Sequence, residues 1–266
     1  MRAAASALAL LALAGCMPGS PGNPASHAGR GGRSLSTPPS GGVSQTRAAS
    51  APPTALRRWV FGRSRDGADL VAVERRNGSA RHRLVVIGCV HGDEQAGEAI
   101  VAAMLREPMP IGADVILITS VNPDGHRRGT RQNAAGVDLN RNFPYHWRPI
   151  GRRGDQQYSG AAALSEPEAR AVVALIRAVR PDTTVWFHQP LDLVDDSGGQ
   201  QTVERAYASR VGQRFVRLTR YPGSATGWQN ATFSGTTAFV DELPRVLPAS
   251  RVSTFTTALW WLASRP

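Results

Sequence analysis

Apolar and polar positions along this chain fall into blocks whose period switches between two and about 3.6 residues, so strands and helices can be told apart by spacing. Residues 58–63 and 70–75 read as two strands around Arg65-Asp66-Gly67, because an Asp-Gly pair accepts the positive φ of a tight hairpin turn. Residues 84–90 are a continuous apolar run, as expected of a strand covered on both faces. Helical spacing follows over 95–106 through Ala96, Ile100, Ala103 and Met104, and 115–121 supply a second buried strand. Ser165-Glu166-Pro167-Glu168 predicts a helix start, with Ser165 as N-cap, Pro167 in the first turn and Glu168 closing a capping box; Pro181 sets its end. Beyond it the pattern predicts a strand over 184–188, a helix over 202–218, a strand over 236–242 and a closing helix over 250–263. This alternation predicts an α/β fold: a mixed, mostly parallel twisted sheet with helices on both faces.

The first 56 residues stand apart from this pattern. Met1-Arg2, an Ala/Leu run over 3–14 and Gly15-Cys16 read as an export signal over 1–15, too short to span a bilayer. Leu13-Ala14-Gly15-Cys16 resembles the bacterial lipoprotein signal, which implies lipidation of Cys16 and a place on the outer face of the cell membrane. Residues 16–56 are rich in Pro, Gly, Ser, Ala and Thr, have no acidic residue and read as a disordered tether; a catalytic domain is expected over 57–266. The net charge of +11 comes entirely from arginine, since the chain has no lysine. Those arginines are dispersed rather than clustered with aromatics, which sets nucleic-acid binding aside. With Cys16 lipidated, Cys89 has no disulfide partner and reads as a small core residue.

Chemistry collects at predicted strand ends. His91 and Glu94 follow one strand, His188 closes a second and Glu242 closes a third. In open α/β sheets the ligand crevice lies beyond the carboxyl ends of the strands, so topology alone brings these groups to one edge. Two imidazoles and a carboxylate are a ligand set that catalytic zinc accepts while keeping a fourth position for water. Between them runs a loop dense in Asn, Asp, Gly and Arg: Asn122-Pro123-Asp124-Gly125, Arg131, and Asp138-Leu139-Asn140-Arg141-Asn142.

In this order the segments resemble the zinc carboxypeptidase family of the carboxypeptidase A type. The resemblance implies one Zn2+ held by His91, Glu94 and His188, with Glu242 as general base. It implies Arg131 facing the developing oxyanion, Asn140 and Arg141 holding a substrate carboxylate, and Asp138 orienting a zinc histidine. Tyr221-Pro222-Gly223-Ser224 with Trp228 looks like the corresponding segment of bacterial murein peptide amidases in this family; its other reading is a Pro-Gly turn with Trp228 packed beneath. Tyr221 is given a substrate-contacting role on the same ground. The expected substrate is a peptide with a carboxylate beside the scissile amide, in peptidoglycan stem peptides. A conventional metallocarboxypeptidase on protein fragments and a non-catalytic wall-binding lipoprotein are the alternatives. His126 and His146 are read as exposed loop histidines.

Overall fold

The computed structural model describes residues 55–265; the leader over 1–15, Cys16 and the tether up to residue 54 lie outside the described residues. β1 (Ala55–Arg63) and β2 (Asp69–Arg76) form the antiparallel hairpin, with Gly67 at φ +85° in its turn. Ala55 and Leu56, assigned by composition to the tether, already belong to β1 and pair with Arg76 and Arg75. The chain continues through β3 (Arg83–Ile87), α1 (Ala96–Arg106), β4 (Asp114–Ile118) and α2 (Pro123–Arg128). A long loop with one 3-10 turn at Leu139–Arg141 leads to α3 (Pro167–Val179) and β5 (Thr183–His188). Then come β6 (Leu191–Asp195), α4 (Gln201–Val211), β7 (Arg214–Val216), α5 (Ala225–Thr232), β8 (Thr237–Pro244) and α6 (Ala249–Ala263).

These eight strands make one mixed sheet in the order β1-β2-β4-β3-β5-β8-β6-β7, whose central strands β4, β3, β5 and β8 are parallel. Side chains along β3 alternate between two cores, as the two-residue strand period requires. Leu84 and Val86 face a layer built by α1, α4 and α6, with Met104, Tyr207 and Phe255 buried in it. Val85 and Ile87 face α3 and α5, with Ile176, Trp186 and Trp228. From β3 the chain passes to β4 on one side, and the later β5 pairs on the other, so the sheet reverses its winding at β3. Such a switch point opens a crevice at the strand carboxyl ends.

Three local expectations are corrected. The helix over 202–218 stops at Val211, because Gly212 takes the left-handed conformation (φ +70°), and Arg214–Val216 turn back as β7 beside β6. The Pro-Gly segment is followed by a real helix, α5, capped by the Ser224 hydroxyl, which accepts from Gly227 N at 3.3 Å. The capping box at α3 does not form: the N-cap position falls on Glu166, and Ser165 Oγ donates to Glu166 Oε1 instead. Glu168 is drawn away by longer-range donors, the Arg65 N–H at 2.8 Å and Asn133 Nδ2 at 3.2 Å.

Candidate active site

β3 ends at Ile87, and the next residues turn into a loop that carries His91 and Glu94 over the crevice. The loop lies so close to α2 that a Cβ on Gly92 would collide with the backbone of Gly125 and His126, which accounts for glycine at this position. β5 delivers His188 at its last residue, and parallel pairing with β8 sets His188 beside Glu242. The result is a tight trio. Glu94 Oε2 lies 2.9 Å from His91 Nδ1 and 2.9 Å from His188 Nδ1, and the two imidazole nitrogens are 3.1 Å apart.

The trio fits a metal ion. Asp138 Oδ1 lies 3.0 Å from His91 Nε2, so that nitrogen carries the proton and donates, leaving the Nδ1 lone pair turned toward His188 and Glu94. Two imidazole nitrogens converging on one carboxylate oxygen at these separations call for a shared cation. Ligands on a tetrahedral zinc at about 2.0–2.1 Å are about 3.3 Å apart, close to the observed spacing. The same three residues are one of two groups among the described residues that could hold a metal ion.

Surrounding charge keeps the Glu94 and Asp138 carboxylates of the site ionised. Burial pushes Glu94 up, but His91 and His188 outweigh it and leave its carboxyl far below the ordinary range. Asp138 is treated the same way by burial against His91 and Arg131, again with a net downward shift. For His91 the burial effect is downward, and the Asp138 and Glu94 carboxylates reverse it. Arg131 closes the ring: Nη1 donates to Glu94 Oε1 at 3.0 Å, while Nε and Nη2 donate to Asp138 Oδ2 at 3.1 and 2.9 Å. Its guanidinium thus braces two carboxylates of the site while lining the cavity.

That cavity holds about 330 Å³ and is walled by the trio, Arg131, Asn140, Arg141, Tyr221 and Glu242 among others. Glu242 Oε2 is buried without a hydrogen-bond partner, and burial raises the carboxyl above its usual range. Arg141 is 6% exposed, donates Nη1 to the Asn140 carbonyl at 2.9 Å, and has an unpartnered Nε. Its guanidinium lies 4.1 Å from the centre of the Tyr221 ring, and it makes no ion pair among the described residues. Burial lowers its pKa, so a ligand carboxylate would relieve a desolvated cation. Asn140 sits with its Oδ1 accepting from Ala225 N at 2.9 Å, so the first turn of α5 aims its amide NH2 toward His188 Nε2, 3.4 Å away.

All the residues given site roles from sequence, apart from Cys16, which lies outside the described residues, therefore border one cavity or brace its ligands. Several contributors left no signal in sequence. Gln189 donates its backbone N–H to Glu94 Oε2 at 3.2 Å, while its side chain ties the α1 N-terminus to the carbonyls of Pro244 and Arg245. Arg220 and Asp195, joined at 2.9 Å, line the same cavity; Asp195 ends β6, a strand the periodicity did not reveal. His126 lies in α2 rather than a loop, one-third exposed and bonded through Nδ1 to Glu98 at 2.8 Å. His146 is exposed at φ +52°.

A His-Glu-His trio at the switch point of an α/β sheet, beside a partnerless buried carboxylate and a buried arginine, has the parts of a metallohydrolase centre. The chain belongs to the zinc carboxypeptidase family, whose Peptidase_M14 description matches residues 45–194. That segment contains every trio member together with Arg131, Asp138, Asn140 and Arg141, whereas Tyr221 and Glu242 reach the site through the fold. Murein peptide amidase A of Escherichia coli (strain K12) is 35% identical over 147 residues, covering 51% of this chain and 60% of that protein. Its namesake in Vibrio campbellii (strain ATCC BAA-1116) is 38% identical over 152 residues, 51% of this chain and 59% of that protein. The matches thus span about 60% of the length of these curated relatives. In three dimensions, the crystal structure of murein-tripeptide amidase MpaA from Escherichia coli O157 superposes with a TM-score of 0.67 and 27% identity, covering 82% of this chain and 94% of that one.

Proposed function

We propose that the chain is a zinc-dependent amidase that hydrolyses an amide beside a carboxylate-bearing residue in peptidoglycan stem peptides. The observation that carries this reading is the shared cavity: the trio and the unpartnered Glu242 oxygen face the same space as the buried, unpaired Arg141. His91, Glu94 and His188 would hold the ion. When bound, zinc supplies Lewis acidity, which brings the pKa of water down to about 7 and polarises a carbonyl.

The remaining work falls to side chains. Arg141, stacked on Tyr221, fixes the substrate carboxylate through its guanidinium fork and so places the scissile amide along the cavity. Glu242, its carboxyl raised by burial, takes the proton of the attacking water as the new C–O bond forms, and returns it to the amine nitrogen as the C–N bond breaks. Arg131 keeps a fixed positive charge at the wall where the carbonyl oxygen becomes anionic. Asp138 holds His91 in the tautomer that presents Nδ1.

The murein peptide assignment is supported by the names of the relatives and by the Tyr221 to Trp228 segment, which forms the turn and helix bordering the cavity. The leader and Cys16 support export and lipid anchoring at the outer face of the cell membrane, where such peptides occur. Dispersed arginine charge agrees with an anionic envelope as surroundings.

One experiment separates the parts. Zinc content and hydrolysis of stem peptides and ordinary peptides are measured by mass spectrometry for the wild type, His188→Ala and Glu242→Gln. His188→Ala is expected to lose one zinc per chain together with activity, and Glu242→Gln to keep its zinc while hydrolysis falls at least 100-fold, in the range expected of a general base. Hydrolysis undiminished in a zinc-free protein would sink the mechanism, and cleavage confined to ordinary peptides would overturn the murein assignment. Cys16→Ser is expected to release the protein from membranes into the soluble fraction.

A further inference from the structure

A second group of metal-ligand side chains lies behind the catalytic loop. Cys89, Glu98 and His126 bring a thiol sulfur, a carboxylate oxygen and an imidazole nitrogen within 4.8 Å of one another, and they share no residue with the catalytic trio. Cys89 is fully buried two residues beyond the end of β3. Glu98 stands in the first turn of α1, His126 in α2, and Glu98 Oε1 already holds His126 Nδ1 at 2.8 Å.

A closed cluster of this kind would be a core packing detail, but this one has an entrance. A surface cavity of about 450 Å³ is lined by Glu98, Ser120 and His126, none of which lines the catalytic cavity, so a hydrated ion has a separate approach to Glu98 and His126. We infer that Cys89, Glu98 and His126 form a second site for a divalent ion of the zinc and cadmium type, which braces the loop carrying His91 and Glu94.

Ligand chemistry selects the ion. One thiolate, one imidazole and one carboxylate suit zinc, cadmium or cobalt, and disfavour calcium and magnesium, which take oxygen-only sets. Binding releases the thiol proton to solvent as the sulfur–metal bond forms. Donor atoms around tetrahedral zinc stand about 3.3–3.7 Å apart, so closing the widest gap takes about 1 Å of movement. The partly exposed Glu98 and His126 side chains can supply that movement while Cys89 stays fixed in the core.

The bracing role follows from connectivity. Cys89 lies two residues before His91 and its Sγ donates to the His91 carbonyl at 3.2 Å; Glu98 lies one helical turn beyond Glu94. His126 belongs to the helix pressed against Gly92. An ion here would join all three supports of the catalytic loop.

Cobalt gives the test a readout independent of catalysis, because only a thiolate ligand produces a sulfur-to-cobalt charge-transfer band in the near ultraviolet. The full-length protein, freed of metal and titrated with cobalt, is expected to bind two ions per chain and to develop that band with one of them. His188→Ala should keep the band while losing the other ion. Cys89→Ser should reduce the stoichiometry from two to one and abolish the band, and His126→Gln should weaken cobalt binding at that site at least 10-fold. Near-ultraviolet circular dichroism checks folding, and His126→Gln, a surface change, carries the test if Cys89→Ser misfolds. One cobalt per wild-type chain without the band overturns the second site, and leaves the catalytic reading untouched because that rests on the His188→Ala result.

Discussion

At the scale of single residues, the site depends on partners that spacing alone does not reveal. His91 and Glu94 can be marked as ligands because they follow an apolar strand, but their readiness to bind comes from Asp138 and Arg131. Asp138 is fully buried and takes three demands at once: His91 Nε2, both nitrogens of the Arg131 fork, and the Asn140 N–H at 2.9 Å. Asp138→Asn keeps the shape but removes the charge, and the amide can turn an NH2 toward either Arg131 or His91 where an acceptor is required. Outer partners of this kind typically control metal affinity by about 10–100-fold. Competition with a fluorescent zinc chelator is therefore expected to show looser zinc by that factor in Asp138→Asn, with secondary structure unchanged. An affinity equal to wild type would mean that Asp138 does not govern the His91 tautomer.

At the scale of elements, the central strands are legible because burial on both faces leaves apolar runs, as in β3, β4 and the second half of β5. Elements set by tertiary contacts are not. β6 begins with the exposed Leu191 and Asp192, and β7 is three residues long, so neither carries a periodic signal; each exists because β8 and β6 offer an edge to pair with. In α5, Thr226 and Gly227 are weak helix formers, and the helix is secured by Ser224 at its start and by Trp228 stacked 5.7 Å from Phe143. The candidate site was more legible than the elements around it, because ligand types at strand ends survive errors in element boundaries. Arg75 shows the same limit from another side. It reads as a strand-end charge, yet it is 8% exposed, and its guanidinium donates to the carbonyls of Met104 and of Glu107, the latter at 2.9 Å, closing the C-terminus of α1. Arg75→Met keeps the stem and leaves both carbonyls unpaired, an expected cost of about 2–4 kcal/mol. For a domain of this size that is a fall in melting temperature of roughly 5–12 °C, readable by calorimetry. A change under about 1 °C would mean that solvent replaces the arginine at the helix end.

At the scale of the whole molecule, β8 carries two adjacent carboxylates whose side chains serve opposite faces of the sheet. Glu242 points into the cavity, whereas Asp241 is fully buried against α4, where Tyr207 donates its hydroxyl to Oδ2 at 2.7 Å and Oδ1 has no partner. Burial pushes the Asp241 carboxyl up to about 7, with the Tyr207 bond pulling the other way. The sign of its effect on folding follows from proton counting. Between the ordinary value of 3.8 and about 7, the folded chain keeps a proton on Asp241 that the unfolded chain has released. Stability therefore falls as pH rises through this window and levels off above it. Glu94 and Asp138, shifted downward, give an opposite slope at the acid end of the range, where the unfolded chain still binds their protons, and that slope is common to wild type and variant and cancels between them. Asp241→Asn removes the titration while keeping an acceptor for Tyr207. The melting temperature of the variant relative to wild type is thus expected to become more favourable by several degrees between about pH 4.5 and about pH 7.5, and then to stay constant. The comparison uses metal-free protein in both cases, so that zinc affinity, which also varies with pH, does not enter. A difference that is constant over the whole range would mean that Asp241 is already ionised in the folded protein near pH 5. Its unpartnered oxygen would then have to be satisfied by a water held between α4 and the sheet.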